Sequence, residues 1–352
     1  VRLAILTSTP LSPTEGSGTF VALDGLVRGL RGRGHAVSIR PLRVRTRFHT
    51  FDRGLYNVQA ALVSPDADMV VGVDLDGFLW ARRRSRPPFV VMLKGVIADE
   101  LRNERGWVRA LLTVQARWER ASCAGADRVI VPSEYSAGIA SEAYGIPPEK
   151  LAVVPEPIDL AAWRRLFVQA GPGRTDRPTV LSVARMYPRK HLEDLLEAAA
   201  GLRKRIVDLQ VRIVGTGPES ARLRGRTRRL GLGDTVVFLG EISRSALAVE
   251  YKHAQCFCLP SVQEGFGLVL AEAMAAGLPV VACRAGAVPE VVADRRSGLL
   301  VAPGQPAELA AALETLLRDA GLRKALGEEG MRRVEAYDLD RVASRFLEAA
   351  AA

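Results

Sequence analysis

Apolar residues along this chain fall into short continuous runs separated by longer stretches in which they recur every three or four positions. Runs at Arg2 to Thr7, Ala36 to Ile39, Asp68 to Val73, Phe89 to Leu93, Asp127 to Val131 and Leu151 to Val154 have the length and the Val/Ile/Leu content of strands buried on both faces. Between them, Phe20, Leu23, Leu26, Val27 and Leu30 keep a helical period that Gly32 and Gly34 end, and Trp107, Leu111, Leu112 and Val114 keep another. Ser136 to Tyr144 predicts a further short helix. The stretch Leu166 to Pro178, with Gly171, Pro172 and Gly173 among polar residues, has the composition of a linker.

The alternation then restarts. Thr179 to Ala184, Leu209 to Val214, Val236 to Leu239, Cys256 to Leu259, Leu278 to Ala282 and Gly298 to Val301 read as strands, and Leu192 to Leu202 and Arg222 to Leu230 as helices. Strand and helix alternating in both halves predict an α/β protein of two Rossmann-like, doubly wound domains facing across a cleft. The expected division is residues 1–168, joined by a returning helix over 338–352, and residues 169–337.

Composition narrows this picture only in part. The chain has 352 residues, 48% hydrophobic, enough for two cores. No apolar run reaches the length of a membrane span and the first residues read as a strand, so a cytoplasmic location is expected. Cys123, Cys256, Cys258 and Cys283 show neither zinc-ligand spacing nor a disulfide framework. The net charge of +10 is nearly all arginine, with clusters at Arg43, Arg45 and Arg47 and at Arg82, Arg83, Arg84 and Arg86. It favours anionic ligands or an anionic membrane surface, which would make the protein peripheral to the cytoplasmic face. No nucleic-acid-binding module accompanies the charge.

The chemistry concentrates in Ser261 to Gly277, which predicts a loop feeding a helix. Gly265 and Gly267 flank Phe266 where the helix begins, exposing backbone N–H groups to phosphates or sugar hydroxyls. Glu264 and Glu272 frame the turn; at roughly 1.5 Å rise per residue Glu272 lies about 8 Å beyond Gly267, so the two acids suit two parts of one long ligand. Glu272 stands among Leu, Val, Ala and Met, where a buried acid needs a partner and a solvated one does not. In the first half, Gly16-Ser17-Gly18 predicts a glycine-rich first loop without the dinucleotide fingerprint. Asp74 and Asp76 end one strand as turn residues or hydrogen-bond acceptors, and Lys94 ends the next.

Taken together, P-S-x-x-E-G-F-G-L-x-x-x-E-A-M-A-x-G-x-P-V-V, Gly215-x-Gly217-Pro218, Pro289-Glu290-Val291-Val292 and Gly298-Leu299-Leu300-Val301 resemble the donor domain of retaining glycosyltransferases of family 4, which have the GT-B architecture. The resemblance implies transfer of a sugar from a UDP-, GDP- or ADP-sugar to a sugar-containing or lipid-linked acceptor, by front-face attack, with no metal and no cofactor required. It implies that Arg185 and Lys190 stabilise the departing diphosphate, that Glu264 with Gly265, Phe266 and Gly267 holds the sugar, and that Glu272 binds the ribose. Leu268, Gly215, Gly217 and the loop at Ile242 join the donor site, and Gly16 and Gly18 approach the phosphates. On the acceptor side this reading places Asp76 and Lys94, and the charge of Arg43 and Arg45 would dock the enzyme on a lipid acceptor. Two positions depart from the family pattern: His191 replaces a loop glycine, and Lys94 replaces a histidine that contacts the sugar.

Other classes fit less well. A sugar-nucleotide epimerase of the same architecture needs acid-base groups, and the chain has four histidines, His35, His49, His191 and His253. A nicotinamide-dependent oxidoreductase needs the missing fingerprint. A non-catalytic binder of anionic polymers or membranes would use the arginine clusters alone.

Overall fold

The computed structural model describes residues 1–11, 13–42, 46, 48–171, 173 and 177–351. The chain divides into two compact units, Val1–Pro157 with Tyr337–Ala352, and Ile158–Ala336.

Unit 1 runs β1 (Arg2–Thr7), α1 (Pro13–Gly32), β2 (Ala36–Pro41), α2 (His49–Ala61), β3 (Met69–Val73), β4 (Phe89–Met92), α3 (Ile97–Glu100), α4 (Gly106–Gly125), β5 (Arg128–Val131), α5 (Glu134–Tyr144) and β6 (Leu151–Val153). Its six strands pair in parallel in the order β2-β1-β3-β4-β5-β6. The two-residue period of each strand divides its side chains between two cores: Leu3, Ile5, Val71 and Met92 pack on one face, Ala4, Leu6, Val70 and Val91 on the other.

Helix α1 begins at Pro13, a residue suited to the first helical turn because its missing N–H would have no partner there. Gly16, Ser17 and Gly18 therefore lie inside the helix, where the sequence pattern predicts a loop. The segment Arg40 to Arg53 holds the end of β2 and the start of α2. Arg43, Arg45 and Arg47 lie outside the described residues.

Unit 2 runs α6 (Leu160–Gln169), β7 (Thr179–Val183), α7 (Leu192–Leu202), β8 (Gln210–Val214), α8 (Ser220–Arg229), β9 (Val236–Gly240), α9 (Arg244–His253), β10 (Cys256–Leu259), α10 (Leu268–Ala275), β11 (Val280–Cys283), α11 (Val288–Val291), β12 (Gly298–Val301), α12 (Pro306–Arg318) and α13 (Ala320–Val334). Helix α6 extends four residues into the stretch whose composition reads as a linker, because Trp163 and Phe167 on its inner face stack together and meet Tyr251 of α9 edge-on. The sheet order is β12-β11-β10-β7-β8-β9, again all parallel, so β7 and β10 are neighbours at its centre. Their loops emerge side by side at the carboxyl end, where open parallel sheets bind ligands.

After unit 2 the chain returns to unit 1 as α14 (Leu339–Ala351), which lays Val342, Ala343 and Phe346 into the core beside Leu23, Leu26 and Leu30 of α1. The alternating signal in the sequence thus resolves into two Rossmann-like domains. Among the described residues, no helix is long and apolar enough to cross a membrane.

Candidate active site

Unit 2 gathers most of the expected donor residues at the carboxyl end of its sheet. Beyond β7 the backbone makes a single 3-10 turn, Pro188–Lys190, and the Val262 N–H of the next loop donates to the Arg189 carbonyl at 2.9 Å. That bond ties the loops after β7 and β10 together. Across it, Lys190 Nζ donates to Glu264 Oε1 at 2.5 Å, and both side chains are nearly removed from solvent. Burial alone would push the Glu264 carboxyl up; Lys190 and Arg189 outweigh it and hold the group below the usual carboxylate range. Glu264 is therefore a fixed anion beside a fixed cation, positioned further by the Ala287 N–H, which donates to its backbone carbonyl at 2.9 Å.

Arg185 leaves the end of β7 and lies 3.5 Å from Glu241 Oε1, an oxygen that also accepts from Thr216 Oγ1 at 2.8 Å. The Gly215-Thr216-Gly217 loop sits directly against this segment. A Cβ at Gly215, whose φ is +111°, would fall 2.1 Å from the Ala184 carbonyl oxygen, and one at Gly217 would fall 2.6 Å from the Met186 nitrogen. Only glycine permits the approach, which the Met186 N–H seals by donating to the Thr216 carbonyl at 2.9 Å. Glycine at both positions thus fixes the backbone that carries Arg185. Ile242 follows Glu241 and is half-buried.

Gly267 caps α10 at φ +92°, a left-handed conformation that turns the chain from the loop into the helix, with Leu268 as its first residue. Phe266 is buried. One turn further in, Glu272 is buried too, so it is not the solvated acid of a surface helix. Tyr251 donates its hydroxyl to Glu272 Oε2 at 3.1 Å, and Arg244 lies over the Trp163 ring at 4.6 Å. Burial raises the Glu272 carboxyl to about 7, against the opposing pull of Arg244 and of hydrogen bonds from Tyr251 and Trp163. At neutral pH this acid stands near its midpoint.

His191, where the resemblance expects a loop glycine, has φ 48°, so the backbone there adopts the conformation that glycine takes without cost. Its Nδ1 lies 3.1 Å from Asp194 Oδ2; that hydrogen bond, opposed by burial and aided by the charge of Asp194, raises the imidazole above its ordinary pKa.

The remaining candidates lie in unit 1. Lys94 donates from Nζ to Glu156 Oε2 at 2.6 Å, with both side chains over nine-tenths buried, and its backbone N–H donates to Asp74 Oδ1 at 2.8 Å. Burial pushes Glu156 up despite Lys94 beside it. Asp76 accepts from the Ser8 N–H at 2.5 Å and from Ser8 Oγ, and burial raises it to about 6. A small pocket beside Lys94 and Glu156 is lined by Leu26, Pro155, Val342 and Phe346. Gly16 and Gly18 belong to the first turns of α1. Among the described residues no group of three or more His, Cys, Asp or Glu side chains could hold a metal ion.

Sequence reasoning missed the partners: Glu241 opposite Arg185, and Tyr251, Trp163 and Arg244 around Glu272. They come from the loop after β9, from α6 and from α9, and only the apolar setting of Glu272 signalled that a partner had to exist.

Residues 165–333 match the family model described as glycosyl transferases group 1, and residues 28–162 match that of glycosyltransferase family 4. The chain belongs to glycosyltransferase family 4. Its relatives include D-inositol 3-phosphate glycosyltransferase of Streptomyces bingchenggensis, 35% identical over 62% of this chain and 51% of that protein. They also include the GDP-mannose-dependent alpha-(1-6)-phosphatidylinositol monomannoside mannosyltransferase of Mycobacterium tuberculosis, 31% identical over 67% and 63%. The chain thus spans about half to two thirds of the length of these two relatives. Sucrose-phosphate synthase of Thermosynechococcus elongatus shares the fold with a TM-score of 0.83 over 99% of this chain and 97% of that one, at 22% identity. This family 4 chain therefore has the GT-B fold.

Proposed function

We propose that this chain transfers a glycosyl group from a nucleoside-diphosphate sugar to a polyol, sugar or lipid-linked acceptor, with retention of configuration and without a metal ion. The observation that carries the reading is the joined pair of loops in unit 2, which sets Arg185, Lys190 and Glu264 at the carboxyl ends of neighbouring strands. Two cations held on fixed backbone suit a diphosphate whose negative charge grows as its bond to the sugar breaks, and each charge-assisted hydrogen bond contributes roughly 1.5–3 kcal/mol. Both cations already face a carboxylate, so they are oriented before the donor arrives. On this reading Glu264 and the amides around Phe266 take the sugar hydroxyls, Glu272 takes the ribose, and the departing phosphate removes the acceptor's proton. The relatives named for inositol phosphate and phosphatidylinositol support an acceptor of polyol or lipid-linked type.

The experiment is thermal unfolding with and without UDP, GDP, ADP and NAD, each in chelator, on the wild type and on Glu272→Ala. A ligand at 100 times its dissociation constant adds about 2.7 kcal/mol, roughly 2–4 °C. A shift with one nucleoside diphosphate, weakened in the variant, supports the reading and names the base. A shift with NAD alone, or with none of the four, overturns the donor site.

A further inference from the structure

Helix α2 is inside out. Its buried side chains include Asp52, Tyr56 and Asn57, while Phe48 at its N-terminal end, Phe51, Leu55, Val58 and Leu62 at its C-terminal end are exposed, Phe48 and Leu62 by 73% and 83%. The inward polar groups all have partners. Asp52 accepts from Thr46 N–H and Oγ1, Tyr56 donates to the Arg40 carbonyl, and Asn57 accepts from the Gly77 N–H at 2.7 Å. Spacings of three and four residues place the five apolar side chains on one outward stripe, which soluble surfaces rarely leave bare.

The stripe has a neighbour. α2 packs along α4 through the Thr50 hydroxyl, which accepts from Gln115 Nε2 at 2.7 Å, and through Gly54, where a Cβ would lie 3.2 Å from the Trp118 ring. On α4 the row Trp107, Leu111, Val114, Trp118 follows helical spacing and ends on α2, and its free end carries Trp107, 76% exposed, beside the exposed Val108. The exposed charges of α4 are Arg109, Arg117 and Arg120, with Arg105 at its N-cap, and the single acid of the helix, Glu119, is buried. The only acid of α2 is buried as well. Two helices thus present aromatic and aliphatic side chains together with arginines, and no exposed carboxylate.

We infer that the outward face of α2 and the adjoining end of α4 dock unit 1 on an anionic phospholipid surface. An apolar stripe bearing Phe and Trp enters the boundary between headgroups and acyl chains, and arginines beside it meet the negative headgroups. A second copy of the chain fits less well, because a two-fold contact sets the same cations against each other. The arginine cluster over 82–86 is less suited to the task. Arg83 donates to the Val63 carbonyl and to Ser64, and Arg86 pairs with Asp127 and lies against Trp80 and Phe89. This surface is independent of the donor-site reading, since neither helix carries a residue assigned to it.

The test is co-sedimentation of the full chain with phosphatidylcholine vesicles, with and without phosphatidylglycerol, at low and high salt. Wild type should sediment with the anionic vesicles at low salt. Phe51→Ser/Leu55→Ser and Trp107→Ser should each partition at least about tenfold less, at unchanged thermal stability because the positions are exposed. Arg109→Glu/Arg117→Glu should bind less and lose the salt dependence. No sedimentation of wild type at low salt, or equal sedimentation of the Ser variants, overturns the inference. So does concentration-dependent dimerisation that the Ser substitutions abolish, which assigns the face to a second copy.

Discussion

The Tyr251 hydroxyl lies 3.1 Å from Glu272 Oε2, and both residues are buried, so the acid proposed to bind the ribose is aimed by a phenol from α9. Tyr251→Phe removes that donor and leaves the carboxylate with less support for its charge. Folding stability should fall by about 1–2 kcal/mol at pH 8, where the acid is ionised, measured by urea unfolding. Nucleoside-diphosphate affinity should fall with it, and its pH midpoint should move upward.

Glu272 also sets a pH dependence whose sign follows from burial. Its pKa is raised to about 7 in the folded protein against an ordinary 4.5. The folded state therefore holds the proton more tightly than the unfolded one. The stabilisation is fully present below the ordinary value and is lost as pH rises through about 7, on the order of 3 kcal/mol in all. Asp76, raised to about 6, contributes in the same direction. Glu272→Gln should flatten the decline between pH 5 and 8 relative to wild type. On the proposed assignment ribose hydroxyls stabilise the ionised acid, so donor affinity of the wild type should instead rise across the same interval, and isothermal titration at three pH values would show it.

Lys190 and Glu264 form a buried pair, and removing one partner strands the other. Lys190→Met should cost about 3–5 kcal/mol of stability, whereas Lys190→Met/Glu264→Gln should cost much less. Neither variant should transfer sugar. Recovered stability with recovered turnover would separate the pair from the chemistry.

The same logic in unit 1 decides what Lys94 does. Lys94→Met leaves Glu156 buried and unpaired and should lower stability by about 3–5 kcal/mol without any ligand, with Lys94→Met/Glu156→Gln recovering most of it. If the double variant also keeps the acceptor KM of wild type, Lys94 is a structural cation. A raised KM with unchanged kcat would make it an acceptor contact.

The strands were legible because a parallel sheet buried on both faces demands apolar runs, and Leu3 to Leu6 or Val280 to Ala282 have no other use. The stretch from Glu264 to Glu272 was legible because glycine, aromatic and acid stand at fixed spacing. Elsewhere pattern alone failed for identifiable reasons. Gly16 and Gly18 suggest a loop, yet Pro13 starts the helix before them. The spacing of Phe48, Phe51, Leu55, Val58 and Leu62 is helical, but spacing does not say which face turns inward, and here Asp52 and Asn57 do. The environment of Glu272 needed three elements that are distant in sequence, α6, α9 and α10, and no local rule brings Trp163 to Tyr251.

The return of the chain through α14 has a temporal meaning. Every strand of unit 1 emerges from the ribosome before residue 158, but Val342 and Phe346, which close its core against α1, come only after all of unit 2. Unit 2 is continuous and can complete its core first, reversing the usual N-terminal-first order of synthesis. Until α14 arrives, Leu23, Leu26 and Leu30 of α1 lack their cover, which makes unit 1 the half of a nascent chain that a chaperone would hold.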